Sequence, residues 1–275
     1  MKFGYCIGYD FVEGNEKSMA LLEAAAKSGF DYIETQIATV ANLEKDKYDK
    51  FKQILKDNEI GCYAGMQLFL PDMQLITDDM DIELIKVEAE KTLNVAAELG
   101  NKVVVLGNGG QRRVRPNMDH NISYERLQKV VEAVDPIAGK YDVKIAIEPL
   151  SFSGEGYLLI NSVGEAGAIA DSVSAENVGG VCDLFHHRGL GESLKDMTNN
   201  GEKVFHLHIA KPNGRTMPMP DDDEFSRRDY VKFAGRAKQI GYEGMVSIDA
   251  DPGEITVERL TTSLELLKRL FVPPA

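Results

Sequence analysis

Short apolar runs rich in β-branched residues alternate with longer amphipathic stretches from one end of the chain to the other. Strands buried on both faces read as continuous apolar runs, and the helices that cover them show apolar positions every three or four residues. The alternation therefore predicts parallel strands joined by crossover helices. Eight strands are expected: Phe3–Ile7, Tyr32–Glu34, Gly61–Met66, Val103–Leu106, Lys144–Glu148, Val178–Cys182, Val204–His208 and Met245–Asp249. A local pattern recurs three times, in AAKSGFDYIE, AAELGNKVVVLG and AKQIGYEGMVSID: a helix ends in glycine, one or two polar residues follow, and a strand begins. Glycine suits the position after a helix because the left-handed conformation there carries no Cβ penalty. Ser162, with Glu165 three residues on, predicts a capping box at a helix start.

Eight β/α units either close into a barrel or open into a doubly wound sheet. The open sheet usually has a glycine-rich phosphate loop after its first strand, and here only Gly8 follows that strand closely. The expectation is an α/β chain forming one (β/α)8 TIM barrel over residues 1–275, with its working groups at the C-terminal ends of the strands. No linker or low-complexity tract interrupts it. The longest loop-like stretch, Lys211–Ser226, holds three of the ten prolines and an acidic run, a length that suggests a lid or substrate loop.

Composition narrows the partners. A hydrophobic content of 43% is enough to bury a sizeable core. The formal net charge of -13 repels phosphate backbones and anionic membrane surfaces, which argues against nucleic acid and membrane and leaves a small molecule. Cys6, Cys62 and Cys182 lack metal-finger spacing, no signal-like segment opens the sequence, and no apolar run reaches the roughly 18 residues of a membrane span. These features suggest a reduced, cytoplasmic protein.

The ends of the last four strands carry the chemistry. Strand five closes with Glu148, strand six with Asp183, strand seven with His208 and strand eight with Asp249. Ionisable groups that end apolar runs are costly to bury unless paired or bound to metal. Any one of them alone reads as readily as a salt bridge at the barrel rim. All four on consecutive strands point to one metal centre. Three oxygen donors and one nitrogen suit Mn²⁺, with Mg²⁺ or Co²⁺ as alternatives, and the absence of thiols argues against structural zinc.

The segments IEPLSFSGEGYLLI, GGVCDLFHH, FHLHIAKPNGR and IGYEGMVSID resemble the xylose-isomerase-like sugar isomerase/epimerase superfamily, especially its ketose 3-epimerases. The resemblance covers the C-terminal half well. It implies metal ligation by Glu148, Asp183, His208 and Asp249, and substrate contacts at Glu155, His186 and Arg215. Two departures stand out: Asp249 replaces a family glutamate, and one extra residue separates His208 from Arg215. In the epimerases the strand-five and strand-eight carboxylates are the two acid/base groups, so Glu148 is expected as principal base and Asp249 as the second catalytic group. The resemblance also implies a small carbohydrate substrate and assembly into dimers or tetramers.

Other residues are weighed singly. Glu34, ending strand two, is expected to touch substrate, to support the metal ligands or to form a salt bridge. Arg112, Arg113 and Arg115, beside a glycine-rich turn, suggest a phosphate site or, more commonly, a solvated loop or oligomer contact. Met66, Phe69 and Tyr5 offer an apolar wall for a sugar face, although core packing is the simpler account of Met66. His206 and His187 are read as helix-facing and are set aside, and His120 carries no signal. Three functions compete: an isomerase or epimerase, a metal-dependent lyase or dehydratase acting on a keto-inositol or oxidised sugar, and a sugar-binding barrel without activity. An apurinic-site endonuclease, which shares the barrel, needs a histidine-rich zinc cluster that five histidines and an acidic chain do not support.

Overall fold

Eight parallel strands close on themselves, each pairing with the next in sequence and the last with the first. They are β1 (Lys2–Cys6), β2 (Tyr32–Gln36), β3 (Gly61–Met66), β4 (Val103–Leu106), β5 (Lys144–Ile147), β6 (Val178–Asp183), β7 (Val204–Ile209) and β8 (Met245–Ile248). The expected barrel is therefore the one that forms, with strand ends within two residues of those predicted. The structure is a computed structural model that describes residues 1–151 and 155–272.

Helices such as Glu16–Ser28, Ile82–Leu99, His120–Tyr141 and Val257–Phe271 cover the outside. Their apolar faces and the outward side chains of the strands make one continuous core, in which Phe271 packs edge-on against Phe3 and Phe233. Gly29 and Gly100 end their helices at φ +85° and +89°, which is why the repeated helix–glycine–strand pattern was legible. Ser162 Oγ accepts from the Glu165 amide at 3.0 Å, while the Glu165 carboxylate returns to the Asn161 amide rather than to that of Ser162.

Inside the barrel the lower layer is apolar, built from Tyr32, Ala64, Val103, Val105, Ala146 and Val181. Gly4 makes room for it: a Cβ there would stand 2.2 Å from the Tyr32 ring. At the opposite end, a two-stranded antiparallel strap joins the loops after β4 and β5, pairing Arg113–Val114 with Tyr157–Leu158. The stretch expected as a lid is braced instead. Lys211 pairs with Asp222 and Asp223, Tyr230 donates to Asp222, Ser263 donates to the Pro218 carbonyl, and Met217 is buried. What it delivers to the barrel mouth is Arg215, held at φ +49° between backbone bonds to Lys211 and Asp251.

Candidate metal centre

β5 to β8 lie side by side, so the residues at their C-terminal ends share one arc of the rim. Glu148 follows β5 directly, because Pro149 offers no N–H with which to extend the ladder. Asp183 ends β6, His208 lies next to the end of β7, and Asp249 follows β8. One ligand atom from each of the four lies within 4.8 Å of the others. His208 Nδ1 is 2.9 Å from Glu148 Oε1, 3.7 Å from Asp183 Oδ2 and 3.9 Å from Asp249 Oδ2.

Whether these groups suit a cation is decided by Asp183. Its Oδ1 accepts from the His186 amide at 3.0 Å, capping the helix Leu184–Gly189, while its Oδ2 is buried with no hydrogen-bond partner among the described residues. An unsatisfied buried carboxylate oxygen is costly, and a cation is the partner that satisfies it. Electrostatics agree. Burial and the charges of Glu148 and Asp249 push the Asp183 carboxyl up, against the pull of His186 and His208. Burial also raises Glu148, but His208, with help from His186 and Arg215, holds it below the usual carboxylate range. Three hard oxygens and one imidazole nitrogen can hold a divalent ion of the Mn²⁺ or Mg²⁺ type.

Below this cluster lies a polar shelf that the sequence reading missed. His208 Nε2 is 3.1 Å from Glu34 Oε1, and Glu34 Oε2 meets His206 Nε2 at 2.8 Å and accepts from Ser247 Oγ at 2.5 Å. Tyr32 OH lies 2.8 Å from Ser247 Oγ. Glu34 is fully buried beneath the cleft, and its carboxylate meets the His208 ring, as the expected supporting role requires. His208 and His206 pull the Glu34 carboxyl well below its usual range despite its burial. The helix-facing assignment of His206 is also corrected. Side chains two apart on a strand share a face, so His206 points inward with His208, their rings 4.9 Å apart. The signal was present in the H-x-H spacing. Cys6 lies near Glu34 and His208 as well, where burial and the surrounding carboxylates push its thiol well up.

The mouth opens into a cleft of about 410 Å³ lined by Glu148, His186, His208, Arg215 and Asp249, with Met66, Leu150 and Leu158 as apolar wall. His186 Nδ1 accepts from the Ser151 amide at 3.1 Å, and its Nε2 is without a partner among the described residues. Arg215 lies over the Phe185 ring and donates to Asp249 Oδ2 at 2.5 Å. Not every expected residue arrives. Glu155 is exposed and outside the cleft lining, its backbone carbonyl taken by the Arg113 guanidinium. Phe69 and Tyr5 are core, since Tyr5 faces the helices and packs on Phe30. His187 is buried outside the cleft, where desolvation lowers its pKa. The arginine cluster disperses: Arg112 turns inward, Arg113 crosses to Glu155, and Arg115 is exposed.

Residues 22–270 match the family described as xylose isomerase-like TIM barrel. The chain belongs to that family. Among xylose isomerase-like proteins, an inosose isomerase of Bacillus licheniformis is 30% identical over 244 residues, covering 83% of this chain and 82% of its own length. An inosose isomerase of Halalkalibacterium halodurans is 25% identical over 240 residues, covering 83% and 80%. A crystal structure of D-psicose 3-epimerase in the presence of D-fructose superposes with a TM-score of 0.79 at 18% identity, covering 99% of this chain and 100% of that one. At that identity the structural likeness supports the fold. Among the described residues, no helix of this xylose isomerase-like barrel is long and apolar enough to cross a membrane.

Proposed function

We propose that the chain is a divalent-metal-dependent sugar isomerase/epimerase that moves a proton on the carbon beside a carbonyl, with a cyclic keto-polyol of the inosose type as first candidate substrate and ketoses as second. The observation that carries it is the meeting of Glu148, Asp183, His208 and Asp249 within 4.8 Å, with one buried carboxylate oxygen unpartnered. The inosose isomerase relatives favour the cyclic substrate. A divalent ion held by these four residues, Mn²⁺ by preference and Mg²⁺ or Co²⁺ otherwise, supplies the Lewis acidity that makes a carbonyl-adjacent proton removable.

Glu148 is the base: it lines the cleft beside His186 and Asp249, where a carboxylate can reach a carbonyl-adjacent proton. His186 presents Nε2 to a substrate oxygen, because the Ser151 amide occupies its Nδ1 as a donor. Asp249 is a weaker candidate for the second proton transfer, since Arg215 pins one of its oxygens. This pairing favours one-base isomerisation over two-base epimerisation. The acidic chain fits a small neutral substrate rather than nucleic acid, and three free cysteines fit a reducing cytoplasm. Assembly into dimers or tetramers belongs to the same proposal.

The test is to incubate Mn²⁺-loaded protein with a 2-keto-inositol, D-fructose or D-tagatose in deuterated water. Deuterium beside the carbonyl with the carbon skeleton intact is expected; loss of water would make the protein a lyase, and neither exchange nor conversion would overturn the reading. The shelf makes its own prediction. Glu34→Gln places an amide where His206, His208 and Ser247 need an acceptor, so Mn²⁺ affinity measured by calorimetry should fall by about 10- to 100-fold. Unchanged affinity would detach Glu34 from the metal centre.

A further inference from the structure

We propose that Arg112 is a positioning residue for Glu148, fixing the direction from which that carboxylate meets the substrate. The inference rests on the reading of Glu148 as base and adds the group that aims it.

Arg112 is among the largest fully buried side chains of the protein. It ends the short 3-10 turn Gly109–Arg112 and turns back beneath the rim, where Nη2 donates to the Glu148 carbonyl at 2.7 Å and, at 3.4 Å, to the Leu106 carbonyl. The Glu148 carbonyl lies beyond the last registered pair of the β5–β6 ladder, which ends at Ile147 and Gly180, and Pro149 follows it. Arg112 therefore supplies the donor that the sheet does not. On the other side, the Glu148 amide donates to the Leu106 carbonyl at 3.3 Å, so one peptide group of Glu148 is tied to the end of β4 and the other to the turn that follows it. The side chain is lodged there too: Glu148 Oε2 lies 2.7 Å from where a Cβ on Gly107 would stand. Leu106 and Arg112 thus tie the Glu148 main chain, and the missing side chain at Gly107 leaves room for its carboxylate.

The arrangement is not what stability alone would choose. Arg112 makes no ion pair among the described residues, and its Nε and Nη1 are buried without partners. Taking a charge out of water is costly, and among the described residues no counter-charge is paired with it to repay that cost. Burial pushes the guanidinium down to about 10, which leaves it charged at neutral pH. Its geometry at Glu148 is the contribution that offsets this cost.

The experiment compares Arg112→Met, Arg112→Lys, Glu148→Gln and Arg115→Ala in the Mn²⁺-loaded enzyme. The probes are deuterium exchange into a 2-keto-inositol and D-fructose, Mn²⁺ stoichiometry of the reloaded apoprotein, and Tm. For Arg112→Met we expect kcat to fall about 100-fold, with KM within about threefold of wild type, because a small misplacement of a reacting group carries that effect. One Mn²⁺ per chain is retained and the fall in Tm is small, because the carbonyl bonds are lost together with a buried charge. Arg112→Lys, which keeps the charge and one donor, should recover about tenfold of the loss. Arg115→Ala, exposed on the same loop, should match wild type. If Glu148→Gln stops exchange while Arg112→Met keeps full kcat, or loses metal and Tm together, the positioning role is overturned and the base assignment stands. If Glu148→Gln itself keeps full exchange, the base assignment fails and takes this role with it. Should Arg112→Met not fold, Arg112→Lys decides: a kcat reduced about tenfold at unchanged KM supports the role, and wild-type kcat overturns it.

Discussion

Glu148→Gln in the Mn²⁺-loaded protein is expected to suppress exchange of the substrate's carbonyl-adjacent proton by about 10²- to 10⁴-fold, the range typical for removal of a general base. Glutamine keeps the shape of the side chain and an oxygen toward His208 Nδ1, so the barrel and most of the metal site survive. What is lost is an oxygen able to accept a proton. Isotope exchange followed by mass spectrometry separates this outcome from simple loss of binding, because KM and metal content are read in the same samples. A variant with full exchange would remove Glu148 from the chemistry and leave Asp249 or His186 to carry it.

His208→Ala is the second large effect. The ring joins two layers of the site: Nδ1 faces Glu148, Asp183 and Asp249, and Nε2 meets Glu34. Its removal leaves three carboxylates and Glu34 crowded in a low-dielectric space with no intervening nitrogen. Loss of a supporting partner alone typically costs 10- to 100-fold in metal affinity, so loss of the ligand itself should exceed about 100-fold. Purified wild type, dialysed and reloaded, should carry one Mn²⁺ per chain by elemental analysis, and His208→Ala should carry none after the same dialysis. Equal metal in both would mean that the ion sits elsewhere.

The barrel and its rim were legible in the sequence for local reasons. Apolar runs mark strands, and an abrupt Glu, Asp or His at the end of a run marks the rim, so Glu148, Asp183, His208 and Asp249 emerged without any coordinates. Features set by three-dimensional return of the chain were less accessible. Nothing near Glu34 says that its carboxylate will be consumed by residues 172 and 174 positions away. Arg112 looks the same in sequence as its neighbours Arg113 and Arg115, yet it alone folds inward, because the turn Gly109–Arg112 reverses the chain just before it enters the strap. Glu155, given a substrate contact by family spacing, stands exposed outside the cleft lining, with its carbonyl accepting from Arg113. The length of Lys211–Ser226 pointed to a lid or substrate loop but carried no sign of the bonds that brace it or of the arginine it brings to the cleft.

The strap of Arg113–Val114 with Tyr157–Leu158 bears on how such an enzyme can be re-engineered. Two loops that leave different strands are stitched by a ladder, by Arg113 to the Glu155 carbonyl, and by the Leu159 amide to the Arg112 carbonyl. Neither loop is an independent module. A graft that exchanges the loop after β4 alone would arrive with an unmatched edge, whereas transplanting both as one cassette keeps the seam intact.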